Sequence, residues 1–185
     1  MSMGSREHVK VEQLFGEWAA RHDVTLAIMR PALIFGKGVG AWTQEFFDQV
    51  ARGHYVHIRG NDARTSVVMA SDAARAMVLL AGKTGIYNVS DGRPHTWLSL
   101  AEAMAANAGT NKRVILLSAK WADRIFRYFW RIRVVGDALA DFVLAEKAST
   151  LVLDDSRVRE ATGMEFYDAI EVIARRDKDY PYEDS

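Results

Sequence analysis

Three small residues with a spacing suited to phosphate binding follow an apolar segment near the start of the chain. Gly36, Gly38 and Ala41 form the pattern Gly-x-Gly-x-x-Ala, with a helical pattern after them. This is the order of the dinucleotide-binding fingerprint, in which glycines let the backbone approach a pyrophosphate at a helix N-terminus. Asp62 stands at about the distance where that fingerprint places an acid for the ribose. Taken alone, the pattern predicts a small self-contained dinucleotide-binding unit.

Two bulky residues in the same loop favour a plain glycine turn instead. Lys37 and Trp42 are large for a loop that must press against a pyrophosphate. The loop is not a P-loop either, because no Gly-Lys-Ser/Thr follows at the required spacing. Both interpretations of the glycines stay open at this point.

Basic residues near the strand pattern TSVVMA are a second candidate site. Arg64 stands beside that strand, and Arg59 and Lys37 are candidates to lie near it. An arginine fork at a strand edge can hold a diphosphate through bidentate hydrogen bonds. The alternative is that these are ordinary solvated surface side chains.

Two other patterns indicate structure rather than chemistry. In the segment 124–132, arginines form one helical stripe and apolar side chains cover the opposite arc, which suits an anionic membrane surface or a helix packed on a core. We adopt the core interpretation and expect no membrane-surface role. The five histidines show neither HExxH nor close triad spacing, so we predict no metal site.

Alternating helix and strand signals position these candidates. The periodicities predict helices over residues 6–21, 43–53, 71–82, 96–108, 135–147, 156–161 and 167–176. They predict strands over residues 25–35, 55–58, 65–70, 85–89, 114–117 and 150–153. This alternation indicates an α/β class with parallel pairing.

Several residues predict where these elements begin, end or are covered. Thr43, Thr96 and the pair Ser71-Asp72 have the residue types that start helices. Pro31 lies within the first strand and has no N–H for a sheet ladder, so we expect pairing to stop there and a neighbour other than a strand beside it. The helix over 6–21 carries an apolar stripe, and we expect that face to be buried.

Composition limits the classes of function. The chain has 185 residues, of which 49% are hydrophobic, with 24 basic and 24 acidic side chains. This is soluble globular material without the positive charge that bulk nucleic-acid binding needs. No cysteine is present, so there is no disulfide or thiolate site. No uncharged run approaches the roughly 20 residues of a membrane span, and no signal peptide precedes the first helix, so we expect a cytoplasmic protein.

The order of five segments carries a resemblance to a known family. The segments are VEQLF, AIMRPALIFGKG, SDAARAM, GIYNVSDGRPHTWLSLAEAMA and LVLDDSRVREATG. Together they resemble the C-terminal half of extended short-chain dehydrogenases/reductases, and among these the NAD-dependent epimerase/dehydratase family that modifies nucleotide sugars. The resemblance runs from about Val11 to Phe166. No single segment is diagnostic, whereas the order and spacing of all five are specific.

The resemblance implies a cofactor, a substrate and residues near them. It implies NAD or NADP, with Pro31 and Ala32 at cofactor-adjacent positions. It implies a nucleotide-sugar substrate, near which Leu33, Arg64 and Lys147 fall. These assignments come from the family pattern and not from the periodicity of this chain.

Three further implications concern Arg30, Asp72 and the fold. Arg30 also falls at a ligand-adjacent position, and Asp72 matches an aspartate that caps a helix in the family. Arg64 lies about one residue out of the usual register before Asp72. The implied fold is a partial Rossmann-like parallel sheet with flanking helices, its last elements about 6–36 and 65–90, plus a small α/β substrate-binding lobe about 37–64 and 93–176.

The chain departs from the family pattern where catalysis is expected. The family's Tyr-x-x-x-Lys should stand just ahead of VEQLF, but alignment on Glu12 puts Gly4 and His8 at those positions. Using Lys10 for the lysine puts Arg6 where the tyrosine belongs. Neither register supplies the phenol, so we assign no catalytic residue.

These observations lead to one hypothesis and two alternatives. We expect a single truncated unit, the C-terminal substrate-binding portion of an NAD(P)-dependent nucleotide-sugar epimerase, dehydratase or reductase, not catalytic alone. It should expose an apolar sheet edge and form a homo-oligomer or bind a missing N-terminal Rossmann half. The alternatives are a non-catalytic sugar-nucleotide-binding or scaffold module, and the self-contained dinucleotide-binding unit.

Overall fold

The computed structural model describes residues 3–36, 41–109, 114–121, 124 and 150–175. Its helices are α1 Met3–His22, α2 Ala41–Arg52, α3 Ala70–Leu79, α4 Trp97–Asn107, α5 Ser156–Thr162 and α6 Ala169–Ala174. Its strands are β1 Ala27–Pro31, β2 Leu33–Phe35, β3 Val56–Arg59, β4 Arg64–Met69, β5 Gly85–Val89, β6 Pro94–Thr96 and β7 Ile115–Ser118. The predicted helix over 135–147 and most of the arginine-rich segment 124–132 lie outside the described residues.

The first predicted strand is present, but it is divided between two partners. β1 pairs in parallel with β5, from Ala27 opposite Gly85 to Pro31 opposite Val89. From Leu33 onward, β2 pairs in parallel with β4 instead. The chain therefore changes partner within two residues, and the α/β class with parallel pairing is confirmed.

The β1–β5 pairing ends at Pro31, as expected, but the expectation that no strand lies beside this residue was wrong. Pro31 stays aligned with Val89, and the Ala32 N–H donates to the Val89 carbonyl over 2.8 Å. Successive backbone nitrogens of a strand point to opposite edges, and the Ala32 N–H points toward β5. The nitrogen of Pro31, which carries no hydrogen, therefore points to the edge that faces away from β5. A proline is tolerated at such an edge, since no hydrogen bond there is lost.

Two short pairings complete the described sheets. β3 pairs in parallel with β7, and β4 pairs with β6 in antiparallel fashion. The predicted strand over 150–153 is reduced to a bridge between Leu151 and Thr65, with Leu151 hydrogen-bonded to both neighbours of Thr65. β4 thus holds β2, β6 and the segment around Leu151 together.

Alternate residues of β4 face two separate clusters of buried apolar side chains. One cluster receives Val67 and Met69 and contains Phe35, Phe46, Val50, Tyr55, Leu100, Ala101, Met104 and Ala169. The other receives Val68 and contains Ala73, Ala76, Leu80, Tyr87, Val89, Val158 and Met164. This is the period of two that puts successive strand residues on opposite faces, so β4 lies between helices on both sides.

One of the predicted helix starts is confirmed and two are wrong. Thr96 caps α4 as expected, because its side-chain oxygen accepts from the Ser99 N–H at 3.1 Å. Thr43 does not begin α2, which already starts at Ala41. Asp72 does not cap α3 either, because that helix begins two residues earlier and Asp72 points into the protein.

The expected burial of the apolar face of α1 was also wrong. The side chains of Val11, Leu14, Phe15 and Trp18 are 46% to 62% exposed, whereas Ala19 is buried. The helical periodicity was interpreted correctly, but no described part of the chain covers that face to the extent a core helix requires. No helix among the described residues is both long and apolar enough to cross a membrane.

Candidate functional site

The point where the first strand changes partner is the candidate site. It lies between Pro31, the last residue of β1, and Leu33, the first of β2. In α/β proteins, ligands bind beside the carboxyl ends of parallel strands where neighbouring strands diverge. The residues expected from sequence to adjoin a cofactor, Pro31 and Ala32, stand at this divergence.

The side chains at the divergence are apolar and differ in exposure. Pro31 is exposed, Ala32 packs against the cluster around Val89, and Leu33 packs against the cluster around Val67. Such side chains can offer a van der Waals wall to a ring, but they supply no hydrogen bond or charge. Any recognition of phosphate must come from other residues.

Arg30 is bound within the protein. Its Nε donates to Oε1 of Glu12 over 2.8 Å, and its Nη2 donates to the second carboxylate oxygen of the same residue. This bidentate bond holds the pKa of Glu12 below its ordinary value and raises that of Arg30. Arg30 therefore ties β1 to α1, so a ligand role would require it to leave Glu12.

Gly36 ends β2 in a conformation that serves packing. Its φ is +145°, and a Cβ added there would come within 2.9 Å of the Ala70 Cβ at the start of α3. The missing side chain thus lets the strand end approach a helix of the same chain, where a pyrophosphate cradle would instead need space for a ligand. Gly38 and Lys37 lie outside the described residues.

Arg64 begins β4 and is exposed. Its guanidinium donates to the Pro94 carbonyl over 3.4 Å, and its backbone N–H donates to Thr150 Oγ1. Leu33 pairs with Val67, so Arg64 lies three residues, or roughly 10 Å, along the strand from the divergence. A ligand that touches both positions must be elongated. Lys147, the other predicted basic contact, lies outside the described residues.

Sequence reasoning missed a buried polar cluster on the β5–β6 connection. The Nε2 of His95 donates to Oδ2 of Asp91 over 2.6 Å, and the Ala169 N–H donates to the same oxygen over 3.1 Å. The second oxygen of Asp91 accepts from the Arg93 N–H, while the Arg93 guanidinium pairs with Asp168. The only sequence signal was an unremarkable Ser-Asp-Gly turn.

This cluster connects elements that are distant in sequence. Asp168 also caps α6 by accepting from the Ile170 and Glu171 N–H groups. Burial would raise the pKa of Asp168, but these bonds and the Arg93 pair together hold it below its ordinary value. His95, Asp91 and Asp168 bring ligand atoms within 4.8 Å of one another. Protein donors already engage the carboxylates and Arg93 supplies a positive charge, so we interpret the cluster as structural.

Asp72 is a second buried carboxylate, which the sequence pattern assigned to a helix start and not to the interior. It has no exposed surface, and it accepts from the Tyr167 N–H over 2.8 Å and from the Arg75 guanidinium over 2.9 Å. Burial raises its pKa despite these bonds. Asp72 therefore fixes α3 against the segment that leads into α6, a structural role as expected but by a different contact.

A groove of about 530 Å³ lies between α1 and the β1–β5 pair. Its lining is mainly apolar and includes Val9, Gly16, Ala20, Leu26, Ile28 and Ile86, with the ion pair of Glu12 and Arg30 also lining it. Within the described part of the chain, β1 pairs with a strand on one edge only. Ile28 and Arg30 of β1 line the groove, so the same strand contributes to the groove and to the open edge.

Comparisons with known proteins identify solved structures that share this fold. No family model and no curated protein matches the chain. The solved structure of UDP-glucose 4-epimerase from Thermotoga maritima with UDP-glucose is similar, with 19% identity and a TM-score of 0.61 over 90% of this chain and 49% of that one. UDP-glucose 4-epimerase from Stenotrophomonas maltophila, with NAD and formylated UDP-arabinopyranose, gives 18% identity and 0.61 over 95% of this chain and 53% of that one.

A third solved structure is similar to the same extent. RMD from Pseudomonas aeruginosa, complexed with NADPH, has 17% identity and a TM-score of 0.61 over 89% of this chain and 50% of that one. At such identities the likeness establishes a shared fold, and it confirms the predicted resemblance to the Rossmann-like epimerases at that level. The chain spans about half the length of the solved structures it matches.

Proposed function

We propose that this chain is the C-terminal, substrate-binding portion of an NAD(P)-dependent enzyme that modifies a nucleotide sugar. The observation that carries the proposal is the coverage: about nine tenths of this chain superimposes on only half of epimerases solved with UDP-sugars. The five sequence segments add to it, because they occur in the order expected for that half. The division into Rossmann elements and a substrate lobe is part of this proposal.

The described residues do not fit the diphosphate of a dinucleotide. Gly36 faces Ala70 where a phosphate cradle would need free space, and the side chains of Pro31 and Ala32 are apolar. We therefore assign this chain at most an apolar contact with NAD or NADP, and derive no catalytic step through the cofactor. The cofactor's phosphates would be bound by another part of the complete enzyme.

The groove and the open edge of β1 suggest where that other part would bind. A free strand edge presents unpaired N–H and C=O groups, which natural proteins cover or pair. Burial of the apolar groove by the same partner would also be favourable. We propose that the N-terminal Rossmann half continues the sheet beyond β1 and fills this groove.

Titration calorimetry with UDP-glucose tests the substrate assignment. We expect saturable binding without cofactor, weakened at least about tenfold by Arg64→Ala, because a charged hydrogen bond to a diphosphate contributes about 1.5 to 3 kcal/mol. Arg52→Ala, which removes an exposed arginine paired with Asp48 on α2, is the matched control and should bind as the wild type does. Absence of UDP-glucose binding at millimolar concentration would contradict the proposed role of this chain.

The same assay with NADH separates the alternatives. A self-contained dinucleotide-binding unit would bind NADH tightly, and Gly38→Val would weaken that binding. UDP-glucose binding that persists after the N-terminal half is supplied, with no turnover, would favour the non-catalytic module instead.

A further inference from the structure

We draw no further inference here: the strongest candidate, the exposed apolar face of α3 that carries Met77 and Val78, has nothing in the described part of the chain that shows what covers it.

Discussion

Replacement of Gly36 by alanine tests whether this glycine serves packing or a phosphate. In the Gly36→Ala variant the added Cβ would lie 2.9 Å from the Ala70 Cβ, closer than real Cβ atoms approach, and the residue would retain a φ of +145°. A backbone conformation of this kind costs a residue with a side chain about 1 to 3 kcal/mol, and overpacking costs about as much. We therefore expect a loss of about 2 to 6 kcal/mol in the free energy of unfolding.

Chemical denaturation followed by circular dichroism measures that loss, and a second variant separates its two parts. Ala70→Gly removes the atom that the new Cβ would meet, so the double variant should recover the overpacking part but not the backbone part. The two substitutions should therefore be coupled by about 1 kcal/mol or more. Gly16→Ala is the control, because Gly16 lies within α1 with no neighbouring atom within 4 Å of its added Cβ. That change should stabilise the protein by about 0.5 to 1 kcal/mol.

Two results would refute this reasoning. If Gly36→Ala unfolded at the same denaturant concentration as the wild type, the close approach to Ala70 would not exist in solution. If the two substitutions were additive, the cost would come from the backbone alone. In either case Gly36 would again be free to serve a ligand.

Three further predictions concern buried and paired charges. The pKa of Asp168 is lowered in the folded protein, so the stabilisation from this carboxylate is present above the ordinary pKa of about 3.9. It is lost as the pH falls through the lowered value. Asp168→Asn should therefore make the free energy of unfolding fall less steeply in an acid titration. Asp72 acts in the opposite direction because its pKa is raised. Its contribution to the free energy of unfolding is full at low pH and is lost as the pH rises through the raised value. Asp72→Asn should therefore make the free energy of unfolding fall more steeply in the same acid titration. Glu12→Ala should cost only about 0.5 to 1 kcal/mol by thermal or chemical denaturation, because its partner Arg30 is 46% exposed, and a larger loss would indicate that this pair organises the end of β1.

Local patterns predicted most of the elements, and pairings between distant segments account for what they missed. Apolar periodicity and capping residues gave α4 and β5 almost to the residue, because those signals lie within the elements themselves. β6 has only three residues and begins with a proline, so nothing local marks it, and it exists because β4 offers it an edge. The partner exchange at Ala32 has the same origin, since it depends on β5 ending at Val89 and on β4 offering Val67 as the partner of Leu33.

For the side chains of the candidate site, prediction from local sequence patterns is limited in the same way. Pro31, Ala32 and Leu33 were predicted by resemblance to adjoin a ligand, and that remains a prediction; the structure shows that they lie where two sheets diverge. The bond from the Ala169 N–H to Asp91 joins residues 78 positions apart, and no spacing rule reaches across that distance. Polar clusters of this kind become visible only when the fold has brought their members together.

The position of α1 argues most directly for a larger assembly. Amphipathic periodicity indicates that a helix has an apolar face, but it does not identify the body that covers it. In this helix small and apolar residues around Gly16 line a groove, while Phe15 and Trp18 project on the opposite side. A surface helix usually buries a single apolar face, so the second apolar side of α1 is not explained by the described residues. The proposed N-terminal half of the enzyme would cover the groove and the open edge of β1, in keeping with the half-length match to the solved structures.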